Sequence, residues 1–134
     1  IANAFQASGV DRWIADLVGS VGAVSVFVAL VVVATAVVLL TEVNSNTATA
    51  SVFIPTMVGI GYALGAPPIS LMAITALVAS YAFMLPVATP PNAIVFGSGY
   101  VTVPQMARAG VWLNVLGIAL ATAATYLWLP IVFG

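Results

Sequence analysis

Residues 22–40, GAVSVFVALVVVATAVVLL, are nineteen consecutive residues without a charged side chain. A helix of about 20 apolar residues, rising about 1.5 Å per residue, spans the ~30 Å hydrocarbon core of a bilayer. Charged residues make up only 4% of the 134-residue chain, against roughly 25% in soluble domains. So few charges cannot cover a water-facing surface, and long apolar runs in lipid satisfy their backbone best as helices. The sequence therefore predicts an all-α, polytopic membrane protein.

The residue types that are missing exclude several functions. The sequence has no cysteine and no histidine, which removes disulfides, thiolate ligands and the usual imidazole base or metal ligand. A net charge of −1 with only two basic residues argues against a nucleic-acid surface. The chain starts with Ile1 and shows no basic region typical of a signal peptide. We therefore expect it to be part of a longer protein.

Apolar runs and their interruptions divide one membrane domain into segments. Residues 1–20 mix charged and apolar side chains at helical spacing, which predicts a short interfacial helix with Trp13 at headgroup level. Residues 101–110, which include Arg108, are expected to form a short aqueous loop. The apolar segments are 22–40, 48–63, 69–87 and 111–132. Small residues at a spacing of four predict close helix packing at Gly61 and Gly65 and at Gly117, Ala121 and Thr125.

The first interruption, TEVNSNT at 41–47, carries mostly small, neutral hydroxyl and carboxamide side chains. Such groups both donate and accept hydrogen bonds. Ser45 or Asn46 can cap a helix that begins near Thr47. Glu42 differs, because a carboxylate at membrane depth costs several kcal/mol unless it is paired, protonated or hydrated. We expect it either to have a structural partner within the helical hairpin around this interruption or to act indirectly in ion binding.

The second interruption, ATPPN at 88–92, repeats this logic. Thr89 can cap a helix whose first turn holds Pro90 and Pro91, where a missing N–H costs nothing, and the amide of Asn92 can reach sideways. Both interruptions thus predict a helix N-terminus with unpaired N–H groups and about half a positive charge. Two such ends aimed at one point bind an anion, while carbonyls freed from the preceding helices can coordinate Na⁺. The alternative is that these polar side chains only hold neighbouring helices together.

SNT at 45–47 followed by ATPPNAIVFGSG at 88–99, with the nearby TE, resembles the divalent anion/sodium symporter family of INDY-like dicarboxylate carriers. The resemblance covers nearly the whole chain and implies the C-terminal half of a transporter built from inverted repeats, with an SNT motif in each half. It implies a re-entrant helical hairpin at 22–63, a broken transmembrane helix at 69–100 and a final transmembrane helix at 111–132. Periodicity alone would make 22–40 a full span, so the hairpin follows from the resemblance.

The resemblance also implies a site. Its substrate contacts are Ser45, Asn46, Thr47, Thr89, Pro90, Pro91 and Asn92. Its sodium site is Thr41, Asn44, Ser45, Asn46, Ala88 and Thr89, with Na⁺ as the coupling ion. The family works as homodimers with an elevator motion. We therefore expect a homodimer in a lipid bilayer, a bacterial inner-membrane location, and a missing N-terminal half of the same transporter as partner.

The leading hypothesis is sodium-coupled secondary transport of di- or tricarboxylates such as succinate, malate or citrate. Na⁺ held nearby would supply the positive charge that helix dipoles alone do not provide for a dianion. A sodium-independent dicarboxylate exchanger is also compatible, and a non-transporting membrane scaffold segment is the alternative from another class. An intramembrane hydrolase is disfavoured, because His and Lys bases are missing and FGSGY does not match the G-x-S-x-G elbow. We expect no enzyme.

Overall fold

Helices are the only regular secondary structure in the part of the chain that the structure describes, Gly9 and residues 24–133. This computed structural model contains α1 (Val26–Thr41), α2 (Asn46–Leu64), α3 (Pro68–Val78), α4 (Pro90–Gly97) and α5 (Val103–Phe133). The prediction of an all-α fold is confirmed. The interfacial helix predicted at 1–20 lies outside the described residues, apart from Gly9.

A short polar connection joins α1 to α2. The N–H groups of Val43 and Asn44 both bond back to the carbonyl of Leu40, at 3.3 and 3.1 Å, and so continue the last turn of α1. The chain then extends at Ser45, whose φ of −62° and ψ of 131° end that turn, and α2 begins at the next residue. The SNT motif therefore occupies the first turn of α2.

A glycine turn connects α2 to α3. Gly65 has a φ of +64°, and its N–H and that of Ala66 bond to the carbonyls of Tyr62 and Gly61, at 3.3 and 2.9 Å. This is the Schellman pattern, in which glycine supplies the left-handed residue. A Cβ on Gly61 would lie 2.8 Å from Pro68 Cα. The predicted close packing is confirmed for Gly61, whereas Gly65 provides the turn.

The centre of the bundle is α3, which contacts α1, α2 and α5. The core between α1 and α3 is aliphatic and includes Leu30, Ala34, Val37, Val38, Leu71, Ile74 and Val78. The face of α5 that covers this core carries smaller and more polar side chains. Asn114, Ala121, Thr122 and Thr125 are all buried there. Lipid tails are as apolar as these side chains, so van der Waals packing and interhelical hydrogen bonds must hold such a bundle together.

The outer surface carries many large apolar side chains. Phe27, Val32, Leu39, Trp112, Leu116, Leu120, Leu127 and Trp128 are all exposed. By length and composition, α2 and α5 can each cross a membrane, whereas α1 and α3 are shorter. With 16 residues, α1 is about 24 Å long. A helix of this length is compatible with the re-entrant hairpin expected at 22–63, which stays a prediction.

The last helix starts earlier than the sequence predicts. Residues 103–110 are helical, so the aqueous loop expected at 101–110 is wrong over most of its length. The cause is a capping box, because Gln105 Oε1 accepts hydrogen bonds from the backbone N–H and the hydroxyl of Thr102, at 2.8 and 2.9 Å. Pro104 fits the first turn, where its N–H is not needed. With 31 residues, α5 is about 46 Å long, well beyond one hydrocarbon thickness.

The break between α3 and α4 is longer than predicted. Helix α3 ends at Val78 and α4 begins at Pro90, so residues 79–89 are not helical. We call residues 79–89 the break segment. The expected break at 88–92 is correct at its end but misses its beginning, because apolar composition continues without change to Val87. Pro86 disfavours a helix at the residue before it, and side chains from other helices replace the lost helical hydrogen bonds, as described below.

Candidate functional site

The first predicted site element is the start of α2. Ser45 is the N-cap residue but makes no side-chain capping bond, so its hydroxyl is not used to close the helix. Asn44, Ser45 and Thr47 are exposed, and Asn46 is half-buried. The sequence prediction of a cap at Ser45 or Asn46 thus holds for Ser45 by position. The free hydroxyl and the first N–H groups of α2 are left for other partners.

The second element is the start of α4. Thr89 is the N-cap, with φ −144° and ψ 154°, and its hydroxyl oxygen accepts a hydrogen bond from the Asn92 N–H at 3.4 Å. Pro90 and Pro91 follow in the first turn. This confirms the predicted cap and its two prolines. Because α4 is short and has no buried residue, its position depends on the break segment that precedes it.

The two elements meet at one cavity of about 440 Å³. Its lining consists of Val43, Asn44, Ser45, Asn46, Thr47, Val87, Ala88, Thr89 and Pro90. An adjacent cavity of about 410 Å³ is lined by Asn46, Ser80, Ala82, Phe83, Thr89, Pro90, Pro91 and Asn92. Asn46, Thr89 and Pro90 line both cavities. The structure therefore brings together the residues predicted at the two interruptions, although they are separated by more than 40 positions in sequence.

Thr41 takes a different place from the other predicted sodium ligands. It is fully buried and does not line the 440 Å³ cavity, which the other five predicted ligands do. Its hydroxyl donates to Asn46 Oδ1 at 2.7 Å and to the Ala79 carbonyl at 2.6 Å. A hydroxyl has one hydrogen, so it serves one of these acceptors at a time. With the Asn46 amide turned over, its Nδ2 donates to the Thr41 hydroxyl, which then donates to Ala79, so these groups form a hydrogen-bonded link between the first interruption and the break segment.

Asn92 contacts the break segment. Its Nδ2 donates to the carbonyls of Ala82 and Leu85, at 2.8 and 3.0 Å. Both amide hydrogens are therefore engaged with the chain, which leaves Oδ1 as the polar atom available to a ligand. The sideways reach expected from the sequence is present, and it is directed at the backbone. Substrate contact by Asn92 stays a prediction.

The partners of Glu42 lie outside the hairpin in which the sequence predicts a structural partner, and they include Asn114, to which the sequence assigns no role. Glu42 is buried, with 4% of its surface exposed, and its carboxylate accepts hydrogen bonds from the N–H groups of Phe83, Met84 and Leu85 and from Asn114 Nδ2. Asn114 is a lone carboxamide within an apolar span, and such a residue indicates a buried polar partner. This is the sequence signal for its contact with Glu42.

The polar groups of the site are mostly neutral. Among the described residues, no group of three or more His, Cys, Asp or Glu side chains could hold a metal ion. Zinc and other transition metals select imidazole and thiolate ligands, whereas hydroxyl, amide and carbonyl oxygens suit hard cations. The oxygen-rich lining is thus chemically compatible with an alkali cation and a polar anion.

Comparison with known proteins identifies the family. A family model described as the sodium:sulfate symporter transmembrane region matches residues 1–134. The chain belongs to this family. The predicted membership of the divalent anion/sodium symporters is therefore confirmed, as is the prediction of a membrane transporter component instead of an enzyme.

Individual relatives agree with the family. The chain is 38% identical over 134 residues to the sodium-dependent dicarboxylate transporter SdcS of Staphylococcus saprophyticus subsp. saprophyticus. It is 40% identical to proteins of the same name from Staphylococcus aureus strains USA300 and NCTC 8325. Each match covers 100% of this chain and 26% of the relative. The chain thus spans about a quarter of the length of the curated relatives it matches.

Proposed function

We propose that the full-length protein containing this chain is a sodium-coupled secondary transporter of di- or tricarboxylates such as succinate, malate or citrate. The observation that carries the proposal is the 440 Å³ cavity, whose walls are formed by the starts of α2 and α4 together. Its volume lies in the range of small-molecule sites. The names of the SdcS relatives, sodium-dependent dicarboxylate transporters, support both the ion and the substrate class.

The anion is proposed to bind between the two helix starts. Ser45, Asn46 and Thr47 contribute hydroxyl and amide groups from α2, and Thr89, Pro90, Pro91 and Asn92 form the opposite wall from α4. At α4, Pro90 and Pro91 have no N–H, and the N–H of Asn92 is bonded to the Thr89 hydroxyl. The start of α2 supplies the unpaired N–H groups, and both helix starts carry a partial positive charge. These groups favour a carboxylate without a basic side chain. Uncharged donors alone leave much of a dianion's charge uncompensated, so a second source of positive charge is required.

Sodium is proposed to supply that charge from the same two interruptions. Thr41, Asn44, Ser45, Asn46, Ala88 and Thr89 are the proposed ligands, through hydroxyl, amide or carbonyl oxygens. Five of these residues line the 440 Å³ cavity, and Thr41 is hydrogen-bonded to Asn46 beside it. Asn46 also lines the cavity, so an ion held beside it would lie next to the anion. Each ligand would then strengthen the binding of the other.

The test is binding of radiolabelled succinate to purified full-length protein in NaCl and in choline chloride. A coupling of about 1–3 kcal/mol is typical between linked sites, so we expect Na⁺ to tighten succinate binding about 5- to 150-fold. Unlabelled malate and citrate, added as competitors, define the substrate range. Succinate binding that is equally tight in both salts would refute coupling and favour the sodium-independent exchanger. Absence of binding in either salt would instead favour the scaffold hypothesis.

The transporter's assembly is part of the proposal. We propose a homodimer in the bacterial inner membrane, in which an N-terminal half of the same chain completes the site and an elevator motion carries it across the bilayer. In this arrangement residues 22–63 form a re-entrant hairpin with its tip near the midplane, residues 69–100 a broken helix and residues 111–132 part of the final span. Light scattering of the detergent-solubilised full-length protein tests the dimer, since a monomeric mass would exclude it.

A further inference from the structure

Glu42 is the only acidic residue in the sequence between positions 24 and 133. It follows the last residue of α1 and is 4% exposed. A carboxylate in a membrane-embedded bundle costs several kcal/mol unless its oxygens are satisfied. The partners of this side chain therefore indicate what it does.

Three successive backbone N–H groups of the break segment surround the carboxylate. Phe83 donates to Oε1 at 2.9 Å, Met84 to both oxygens at 3.0 Å, and Leu85 to Oε2 at 3.2 Å. Consecutive N–H groups around one anion form a nest. Asn114 adds its Nδ2 to Oε1 at 2.8 Å. These donors are all neutral, so within the part of the chain that the structure describes the carboxylate orders a stretch of backbone and has no cationic partner.

The carbonyl groups of the same segment are held by other side chains. Asn92, in the first turn of α4, donates to the carbonyls of Ala82 and Leu85. Thr41, at the end of α1, donates to the carbonyl of Ala79. The break segment is thus tied through its N–H groups to one end of α1 and through its carbonyls to both α1 and α4. These ties replace the helical hydrogen bonds that residues 79–85 lack.

Helix α5 packs closely against the break segment. A Cβ on Gly110 would lie 2.5 Å from the Phe83 carbonyl oxygen, and a Cβ on Gly117 would lie 2.9 Å from the Tyr81 ring. Asn114 lies between these two glycines, on the same face of the helix at i+4 from Gly110. The two glycines therefore let α5 approach closely enough for Asn114 to reach the carboxylate.

We propose that Glu42 is a positioning residue for the sodium and anion sites. Its carboxylate fixes the backbone at 83–85 and, through it, the place of Ala88 and Thr89 opposite the SNT motif. Glu42 lines neither of the two cavities, so it acts through the backbone that it holds and not by touching the ion. The inference rests on the proposed function, because it assigns a role within that transport site.

The first test replaces the carboxylate with its isosteric amide, Glu42→Gln, in the full-length protein. One acceptor oxygen then becomes an NH₂ donor that faces other donors. If it takes the place of Oε2, Leu85 loses its partner; if it takes the place of Oε1, Phe83 and Asn114 lose theirs. We expect the Na⁺ concentration for half-maximal succinate binding to rise about 10-fold, which corresponds to about 1.4 kcal/mol and lies within the cost of one unpaired buried N–H.

A second variant separates position from charge. Glu42→Asp keeps the negative charge but is shorter by one methylene, so it cannot hold all three N–H groups. A positioning role predicts that Glu42→Asp raises the Na⁺ requirement as Glu42→Gln does. If the charge alone mattered, Glu42→Asp would behave like wild type, and that result would overturn the proposal.

A double variant tests the geometry directly. In Glu42→Gln with Asn114→Asp, the new NH₂ can donate to the new carboxylate at 114 while the amide oxygen still accepts from Met84 and Leu85. Only Phe83 then lacks its partner, as only Leu85 does in the better orientation of Glu42→Gln. Because the new NH₂ now has an acceptor, which it lacks in Glu42→Gln, we expect the double variant to bind Na⁺ more tightly than that single variant. A double variant no better than that single variant would count against the specific contacts described.

All measurements use the monodisperse fraction from size-exclusion chromatography, so that loss of folded protein does not enter the affinity. A merely structural glutamate would lower the yield of Glu42→Gln but leave the Na⁺ dependence of the surviving protein unchanged, and this outcome also overturns the proposal. Failure of the proposed function has a different signature, because wild-type protein would then show no Na⁺-dependent succinate binding. The wild-type measurement therefore separates the two failures.

Discussion

Substitution of Gly110 by alanine tests the close approach between α5 and the break segment. The added Cβ would lie 2.5 Å from the Phe83 carbonyl oxygen and 2.6 Å from Met84 Cα, where ordinary contact begins at 3.4 Å. The shortfall of 0.9 Å (3.4 − 2.5) falls on backbone atoms, which cannot rotate away. Overpacking typically costs about 1–3 kcal/mol, and alanine regains at most about 1 kcal/mol of helix propensity. We expect a net loss of about 1–2 kcal/mol in the free energy of unfolding.

Gly97→Ala is the matched control for this experiment. A Cβ at Gly97 would meet no atom within 4 Å, so the same chemical change there should be neutral or slightly stabilising. Both variants are made in the full-length protein, and unfolding by denaturant in detergent micelles is measured together with Na⁺-dependent succinate binding. Because the clash is with residues that Glu42 holds, Gly110→Ala should also raise the Na⁺ requirement. If Gly110→Ala matched Gly97→Ala in both stability and Na⁺ dependence, the close approach would be refuted.

Five further substitutions test the site and its orientation in the full-length protein. Asn46→Ala and Thr47→Ala should each abolish carboxylate uptake at near-normal expression; uptake within twofold of wild type in both would contradict the site assignment. Thr41→Val removes the hydroxyl that donates to Ala79 or Asn46, so it should cost about 1–3 kcal/mol and weaken Na⁺ binding; a Na⁺ titration that matches wild type would contradict this. Thr89→Val should weaken Na⁺ dependence more than stability, and the opposite order would make Thr89 a purely structural cap. Because Arg108 favours a cytoplasmic position for residues 101–110, a cysteine at Gln105 should be protected from impermeant thiol reagents added outside intact cells, whereas rapid labelling would place this segment outside.

The features that the sequence predicts well are those with local chemistry. Thr89 caps α4 and the two following prolines occupy its first turn. A capping hydroxyl and the missing N–H groups of proline favour a helix start whatever the rest of the fold. Ser45 likewise marks the start of α2. The cavity between the two interruptions was anticipated only through the family resemblance, since the sequence spacing alone does not indicate which helix starts meet.

The features that the sequence does not predict depend on distant contacts. The beginning of the break segment at residue 79 lies within an apolar run. Periodicity does not distinguish a buried segment without regular secondary structure from a buried helix. What ends α3 there is the set of partners offered by Glu42, Thr41 and Asn92. The start of α5 is a different case. The T-x-x-Q pattern at Thr102 is a local capping signal that an interpretation based on hydropathy alone overlooks.

The pairing of Glu42 with residues 83–85 also has a consequence for how the protein is made. Insertion of an isolated α1 would place a carboxylate in lipid at a cost of about 2.5–3.5 kcal/mol on translocon-based scales. Insertion of the break segment alone would expose N–H groups that lipid cannot satisfy. The hydrogen bonds between Glu42 and the break segment remove both costs, but the residues that they join lie 41 to 43 positions apart in the chain. During biosynthesis, the cost at Glu42 therefore persists until α3 and the break segment have been synthesised.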